Sequence, residues 1–210
     1  MDTMIPVNVP LIDDEEVEAV AKVLRSGLLT GRVQSGPFVK RLEDDFAGFA
    51  KAKYAYAVNS GTAALHLALM AAGIGAGDEI VVPSFSFIAT AECVALVGAK
   101  PVFVDINPAT YNVDPQNIQK VITRKTKAVI PVDLYGLPAD IKPIRELADK
   151  HDLVIVEDAA QAHDAEPLDE PHPAHVGGEL IDFGRAFAGP PAILFDAQIQ
   201  AEAFDAGDAL

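Results

Sequence analysis

The stretch 154-VIVEDAAQAH-163 decides the fold. Val154, Ile155 and Val156 are three β-branched residues in succession, and they run directly into Glu157 and Asp158. A short, continuously apolar run of this kind reads as a strand covered on both faces of a sheet. A buried strand that ends on a carboxylate needs a partner for the charge. Beyond His163 the character of the chain changes. Two questions follow: what Asp158 pairs with, and why the pattern stops.

Strands of the same kind recur toward the N-terminus, as "YAYAVN" from Tyr54, "DEIVVP" from Asp78, "KPVFVDI" from Lys100 and "KAVIPVDL" from Lys127. Helical stretches separate them: "SGTAALHLALMAAG" from Ser60, "SFIATAECVALVG" from Ser86, "DPQNIQKVITR" from Asp114 and "DIKPIRELADKH" from Asp140. Regular alternation of this sort predicts a doubly wound α/β architecture with a mainly parallel sheet and helices on both faces. Ahead of it, Asp13 to Ser26 reads as a surface helix. Asp13 and Glu16 form a capping-box-like start, Val17, Val20, Ala21 and Leu24 an apolar stripe, and Gly27 a stop. A second helix is predicted over Pro37 to Lys51, with Phe38, Leu42, Phe46 and Phe49 on one face. The expected organisation is a helical segment at 1–52, a partial cofactor-binding α/β domain at 53–163 and an acidic tail at 164–210.

Composition narrows the function classes. The 210 residues are half apolar and carry a net charge of −15, which argues for a globular chain and against a nucleic-acid binder. No apolar run reaches the roughly eighteen residues of a membrane span. The N-terminus lacks a basic region followed by an apolar core, so no signal peptide is expected. The single cysteine, Cys93, excludes an internal disulfide and favours the cytoplasm. From Asp164 onward there are ten acids and one base, five prolines and no lysine. A weak helix over Ile193 to Ala206 is the one element predicted there.

Ligands of open α/β sheets sit beyond the carboxyl ends of the strands, and three such ends carry unusual residues. At "VNSGTAALHL" a strand ends at Asn59 and a helix opens with Ser60-Gly61-Thr62. Gly61 permits close approach of a ligand, and the helix N-terminus favours an anion. An ordinary Ser/Asn cap explains the same residues. At "VVPSFSFIAT" Pro83 ends a strand and Phe85 and Phe87 follow, either core residues or a stacking surface for a planar ring. The third end is Asp158 with Gln161. Asp158 suits a protonated pyridine nitrogen, a metal ion or a buried salt bridge. No His/Cys/carboxylate set at metal-ligand spacing supports the metal. A phosphate grip, a flat aromatic surface and an acid for a ring nitrogen are together what pyridoxal phosphate needs.

The chain closely resembles the DegT/DnrJ/EryC1/StrS sugar aminotransferases, fold-type-I pyridoxal-phosphate enzymes. The resemblance rests on "IPVNVPLIDDEEVEAVAKVLRSGLLTGRVQSGPFVKRLEDDFA", "NSGTAALHLAL", "GDEIVVPSFSFIATA", "GAKPVFVDI", "PVDLYGLPADI" and "VEDAAQAH", in family order over about residues 5 to 163. It implies the N-terminal part of the fold-type-I large domain. It further implies pyridoxal 5'-phosphate as cofactor, a nucleotide-linked keto-sugar and an amino-acid donor as substrates, and a homodimer. Carried over, it assigns Gly61 and Thr62 to the cofactor phosphate, Phe87 to the ring face, Asp158 to the ring nitrogen and Gln161 to the vicinity of the ring hydroxyl. The loop from Leu28 to Val33 matches a region near substrate. Asp133 stands where many members have histidine.

The resemblance breaks after His163. Asp164 replaces a glycine, "VGGELIDFG" only faintly echoes a family run, and the segment bearing the lysine that bonds covalently to the cofactor is missing. Lys150 is the last lysine in the chain. His172 and His175 do not sit in the context of the family branch that uses histidine for sugar dehydration, and no role is assigned to them. The expectation is a fragment of a sugar aminotransferase, inactive as it stands and produced by a disrupted gene; a genuine divergent tail that folds against the domain is the other reading of the change after His163. A sugar dehydratase of the same family and a non-catalytic chain that pairs with an intact paralogue are the alternatives.

Overall fold

The computed structural model describes residues 11–29, 36–50, 52–162, 179–181 and 192–196. Two helices come first, α1 (Asp14–Ser26) and α2 (Pro37–Phe49). The alternating part follows as β1 (Tyr54–Val58), α3 (Gly61–Ala71), β2 (Glu79–Pro83), α4 (Ala89–Leu96), β3 (Lys100–Val104), α5 (Pro115–Val121), β4 (Thr126–Val129), α6 (Ile141–His151) and β5 (Val154–Glu157). Two strands from the tail, β6 (Glu179–Ile181) and β7 (Ala192–Asp196), complete the set.

The local signals act as their chemistry dictates. At α1 the Asp13 carboxylate accepts from the Glu15 N–H at 2.9 Å, and the Glu16 carboxylate accepts from the Asp13 N–H at 2.8 Å. Gly27 closes the helix in the left-handed region at φ 67°. The helix buries none of its residues, so its apolar stripe of Val17, Val20 and Leu24 faces outward. The second helix stops at Phe49, short of the predicted Lys51, and packs Phe46 against Ala55 of β1.

The sheet has the order β1-β7-β6-β5-β4-β2-β3. Every neighbouring pair is parallel except those of β6, which runs antiparallel to both β5 and β7. Strand side chains alternate between two cores, as a period of two requires. Ile80, Val82, Ala128, Ile130 and Val156 pack against Leu65, Leu69, Cys93 and Val94 of α3 and α4. Val81, Val129 and Ile155 face the other way, onto Ile118 of α5 and Ile141 and Ile144 of α6. Helices therefore cover both faces, and the continuous apolar runs are explained.

Two elements differ from their sequence readings. The strand predicted over Lys127 to Leu134 ends at Val129. Pro131 has no N–H to give to a ladder, and only a single bridge, Val132 to Asp158, extends the pairing. In the tail, Ala192–Asp196 is a strand, not the start of a helix. It pairs in register with β1, Tyr54 opposite Ala192 through Val58 opposite Asp196. An Ile-Leu-Phe run is ambiguous by periodicity alone, and the open edge of β1 decides it. Residues 197–206 of that predicted helix, together with His163, Asp164, His172, His175 and residues 30–33 of the substrate-side loop, lie outside the described residues.

Candidate active site

Because β1, β2 and β5 share one direction, their carboxyl ends meet on one edge of the sheet. Each is followed by a segment that turns across that edge: Asn59 to Gly61 into α3, Ser84 to Ile88 into α4, and Asp158 to Gln161 after β5. Together they form a cleft of about 340 Å3. Gly61, Thr62, Phe87, Asp158 and Gln161 all line it, so the five residues singled out from sequence converge. Ser60 and Ser86 join them, whereas no lysine, arginine or histidine does among the described residues.

At one end of the cleft stands the N-terminus of α3. The Ser60 hydroxyl caps it by accepting from the Ala63 N–H at 3.1 Å, and the first turn contains no acidic residue. This end is electropositive by virtue of the helix dipole. Phe87 lies along the cleft and is 73% exposed. Phe85 is also exposed, so neither aromatic belongs to the core. Phe85 instead clusters at ring-centroid distances of 5.8 Å from Tyr111 and 6.5 Å from Tyr135. Both tyrosines adopt the left-handed backbone region, at φ 62° and 57°, which costs a non-glycine residue energy and requires outside support. Part of that support is a hydrogen bond from the Tyr135 N–H to Gln161 Oε1 at 2.8 Å. The amide NH2 is then the remaining polar end of Gln161.

Asp158 occupies the floor and is 7% exposed. Its Oδ2 accepts from the Thr90 hydroxyl at 3.0 Å. Oδ1 has only a long contact with the Ala160 N–H, at 3.4 Å. Burial pushes the carboxyl above the ordinary Asp range, and the bonds from Thr90 and Ala160 pull it part of the way back. Among the described residues that line the cleft no cation balances the charge. A buried acid in this state is an acceptor awaiting a positively charged donor.

Behind the floor lies a feature that sequence reading left undeveloped. Asp133, Glu157 and Asp158 are all buried at the end of β5. Burial, then the charge of Glu157, push the Asp133 carboxyl up to about 9, against the pull of the Ala139 N–H that it accepts at 2.7 Å. Asp133 is therefore protonated at neutral pH. Its backbone N–H donates to the Asp158 carbonyl at 2.9 Å, which ties the two strand ends together. Thr90 was also missed. The available signal was its spacing from Ser86, four residues and hence one helical turn away; the two hydroxyls lie 2.9 Å apart.

Among the described residues no group of three or more His, Cys, Asp or Glu is arranged to hold a metal ion. Nor, among them, is any helix long and apolar enough to cross a membrane.

The family model described as the DegT/DnrJ/EryC1/StrS aminotransferase family matches residues 10–180. The chain is 46% identical over 160 residues to a pleiotropic regulatory protein of Geobacillus stearothermophilus, covering 74% of this chain and 43% of that protein. It is 48% identical over 154 residues to the UDP-2-acetamido-2-deoxy-3-oxo-D-glucuronate aminotransferase of Pseudomonas aeruginosa, covering 73% of this chain and 42% of that enzyme. Among solved structures, NtdA of Bacillus subtilis with bound cofactor PMP superposes with a TM-score of 0.65 at 36% identity, covering 77% of this chain and 39% of that one. The chain thus spans less than half the length of the curated relatives that it matches.

Proposed function

Since the chain belongs to the DegT/DnrJ/EryC1/StrS aminotransferase family, we propose that it is the cofactor-cradling part of a pyridoxal-phosphate aminotransferase that acts on a nucleotide-linked keto-sugar, and that by itself it transfers no amino group. The carrying observation is the charge layout of the cleft. An electropositive helix end stands on one side and a buried, cation-seeking carboxylate on the other, with an exposed phenylalanine alongside. That layout matches a flat ligand with a phosphate at one end and a protonated ring nitrogen at the other.

In this reading Gly61 and Thr62 hold the phosphate with the first turn of α3. Phe87 covers a ring face, Asp158 Oδ1 receives the ring N–H, and the Gln161 amide reaches the ring hydroxyl. Pyridoxal phosphate, when bound, supplies the electron sink for moving an amino group between an amino-acid donor and the sugar. The chain's own residues bind and orient it. Among the described residues that line the cleft there is no lysine to anchor it covalently or shuttle the proton. Binding is accordingly weak and non-covalent.

Exposure of Val17, Val20 and Leu24 on α1 supports pairing with a second copy of this chain or with an intact paralogue. The lone buried Cys93 supports a reducing compartment, the cytoplasm.

Borohydride treatment with pyridoxal phosphate, followed by peptide mapping, tests the cofactor chemistry. A transamination assay with glutamate and a keto-sugar nucleotide tests the activity. The expected result is no stoichiometric label on any lysine and no turnover. One lysine labelled in full, together with turnover, would overturn the proposal.

A further inference from the structure

Ser86 and Thr90 form a pair that the cofactor reading leaves without a role. Thr90 lies in the first turn of α4 and is 2% exposed, so its hydroxyl has no access to water. A hydroxyl has one proton, and Thr90 commits it to Asp158 Oδ2 at 3.0 Å. The 2.9 Å contact with Ser86 must then run the other way, with the Ser86 O–H donating to Thr90 Oγ1. The result is a directed chain from Ser86 through Thr90 to Asp158, in which each bond polarises the next. Ser86 itself lines the cleft, so the chain begins and ends at the same ligand space.

The chain has a geometric consequence. A carboxylate with both oxygens free can rotate about its terminal torsion, which is broad. The bond from Thr90 to Oδ2 restrains that rotation, and Oδ1 is left with only the 3.4 Å contact to Ala160. We propose that Thr90, oriented by Ser86, is a positioning residue that turns Asp158 Oδ1 toward the cleft and holds that acid in its charged form for a cationic ring N–H. The identity of that N–H rests on the cofactor reading above; the action of Thr90 on Asp158 does not.

The acids that share this space are Asp133 and Glu157, and among the described residues no basic side chain lines the cleft. The test is the titration of Asp158 in the ligand-free chain, followed by NMR of carboxyl carbons in 13C-labelled protein and assigned with Asp158→Asn. In Thr90→Val, which keeps the shape and removes the hydroxyl, the midpoint moves up by about one pH unit. Thr90→Ser returns it close to wild type. Ser86→Ala moves it in the same direction by less, and it serves as the second variant should Thr90→Val not fold.

Binding of pyridoxal phosphate, measured by fluorescence quenching, gives the second readout. Measured at a pH below the wild-type midpoint, where the charged fraction falls about tenfold for a one-unit shift, Kd rises about tenfold in Thr90→Val and by no more than about twofold in Thr90→Ser. A midpoint that does not move in Thr90→Val, or one that moves equally in Thr90→Ser, overturns the positioning role. A midpoint that moves as stated in a wild-type background that binds no pyridoxal phosphate supports the positioning role and instead counts against the cofactor reading.

Discussion

At the scale of single residues, the end of β5 concentrates three carboxyl groups in a space that has room for little charge. Asp158 faces the cleft, while Asp133 and Glu157 lie behind it, and the proton on Asp133 relieves the crowding. This proton makes stability depend on pH with a definite sign. The folded chain holds it up to about pH 9, whereas an ordinary Asp releases it near 3.8. Between those values the folded state binds one proton more than the unfolded state, so this group makes stability fall as pH rises. Asp133→Asn removes the titration but keeps an oxygen for the Ala139 N–H. The urea midpoint of wild type should therefore fall more steeply than that of Asp133→Asn between about pH 6 and about pH 9. Parallel slopes in the two proteins would show that Asp133 is ionised in the fold. None of this is readable from "PVDLYG", because Glu157 reaches Asp133 only through the pairing of two strands. That Asp158 needs a partner, by contrast, is legible at once: a carboxylate at the end of an apolar run is a local fact.

At the scale of the element, α3 carries two properties at one end. Its cap stabilises the helix, and its dipole prepares a place for an anion. Substitutions at Ser60 separate them. Ser60→Ala removes the acceptor for the Ala63 N–H and should lower stability by about 1 kcal/mol. Ser60→Asp preserves the cap, since Asp and Ser rank together there, but puts a negative charge where a phosphate would sit. Its denaturation midpoint should stay near wild type while its affinity for pyridoxal phosphate falls at least tenfold, roughly the effect of a like charge in contact. Equal affinities in wild type and Ser60→Asp would place the phosphate elsewhere. Elements whose start, stop and buried face are written in neighbouring residues are legible in the sequence: α1, with Asp13, Glu16 and Gly27, is the clearest. The strand Ala192–Asp196 is not, because its pairing with β6 and with β1, far away in the chain, makes it a strand. The left-handed turns at Tyr111 and Tyr135 are equally hidden, as tyrosine carries no local preference for that conformation.

At the scale of the whole molecule, charge and surface oppose each other. A net charge of −15 favours separation, whereas the uncovered stripe on α1 favours contact. Screening weakens the first and spares the second. Sedimentation should therefore show association that grows with added salt, and Val20→Asp should reduce it severalfold by putting a charge on the stripe. Salt-independent monomers would show that α1 does not dock. The sheet order has a different consequence, one of timing. Among the described residues the only strand beside β1 is β7, and Tyr54 meets its ladder partner once Ala192 has been synthesised. During translation the block from β2 to β5 can condense from contacts close in sequence, while β1 waits for β7. The β1–β7 closure is a long-range step of the kind that slows folding and exposes a chain to mispairing. It should be the slow phase of refolding, in a protein whose remaining parallel strands assemble early.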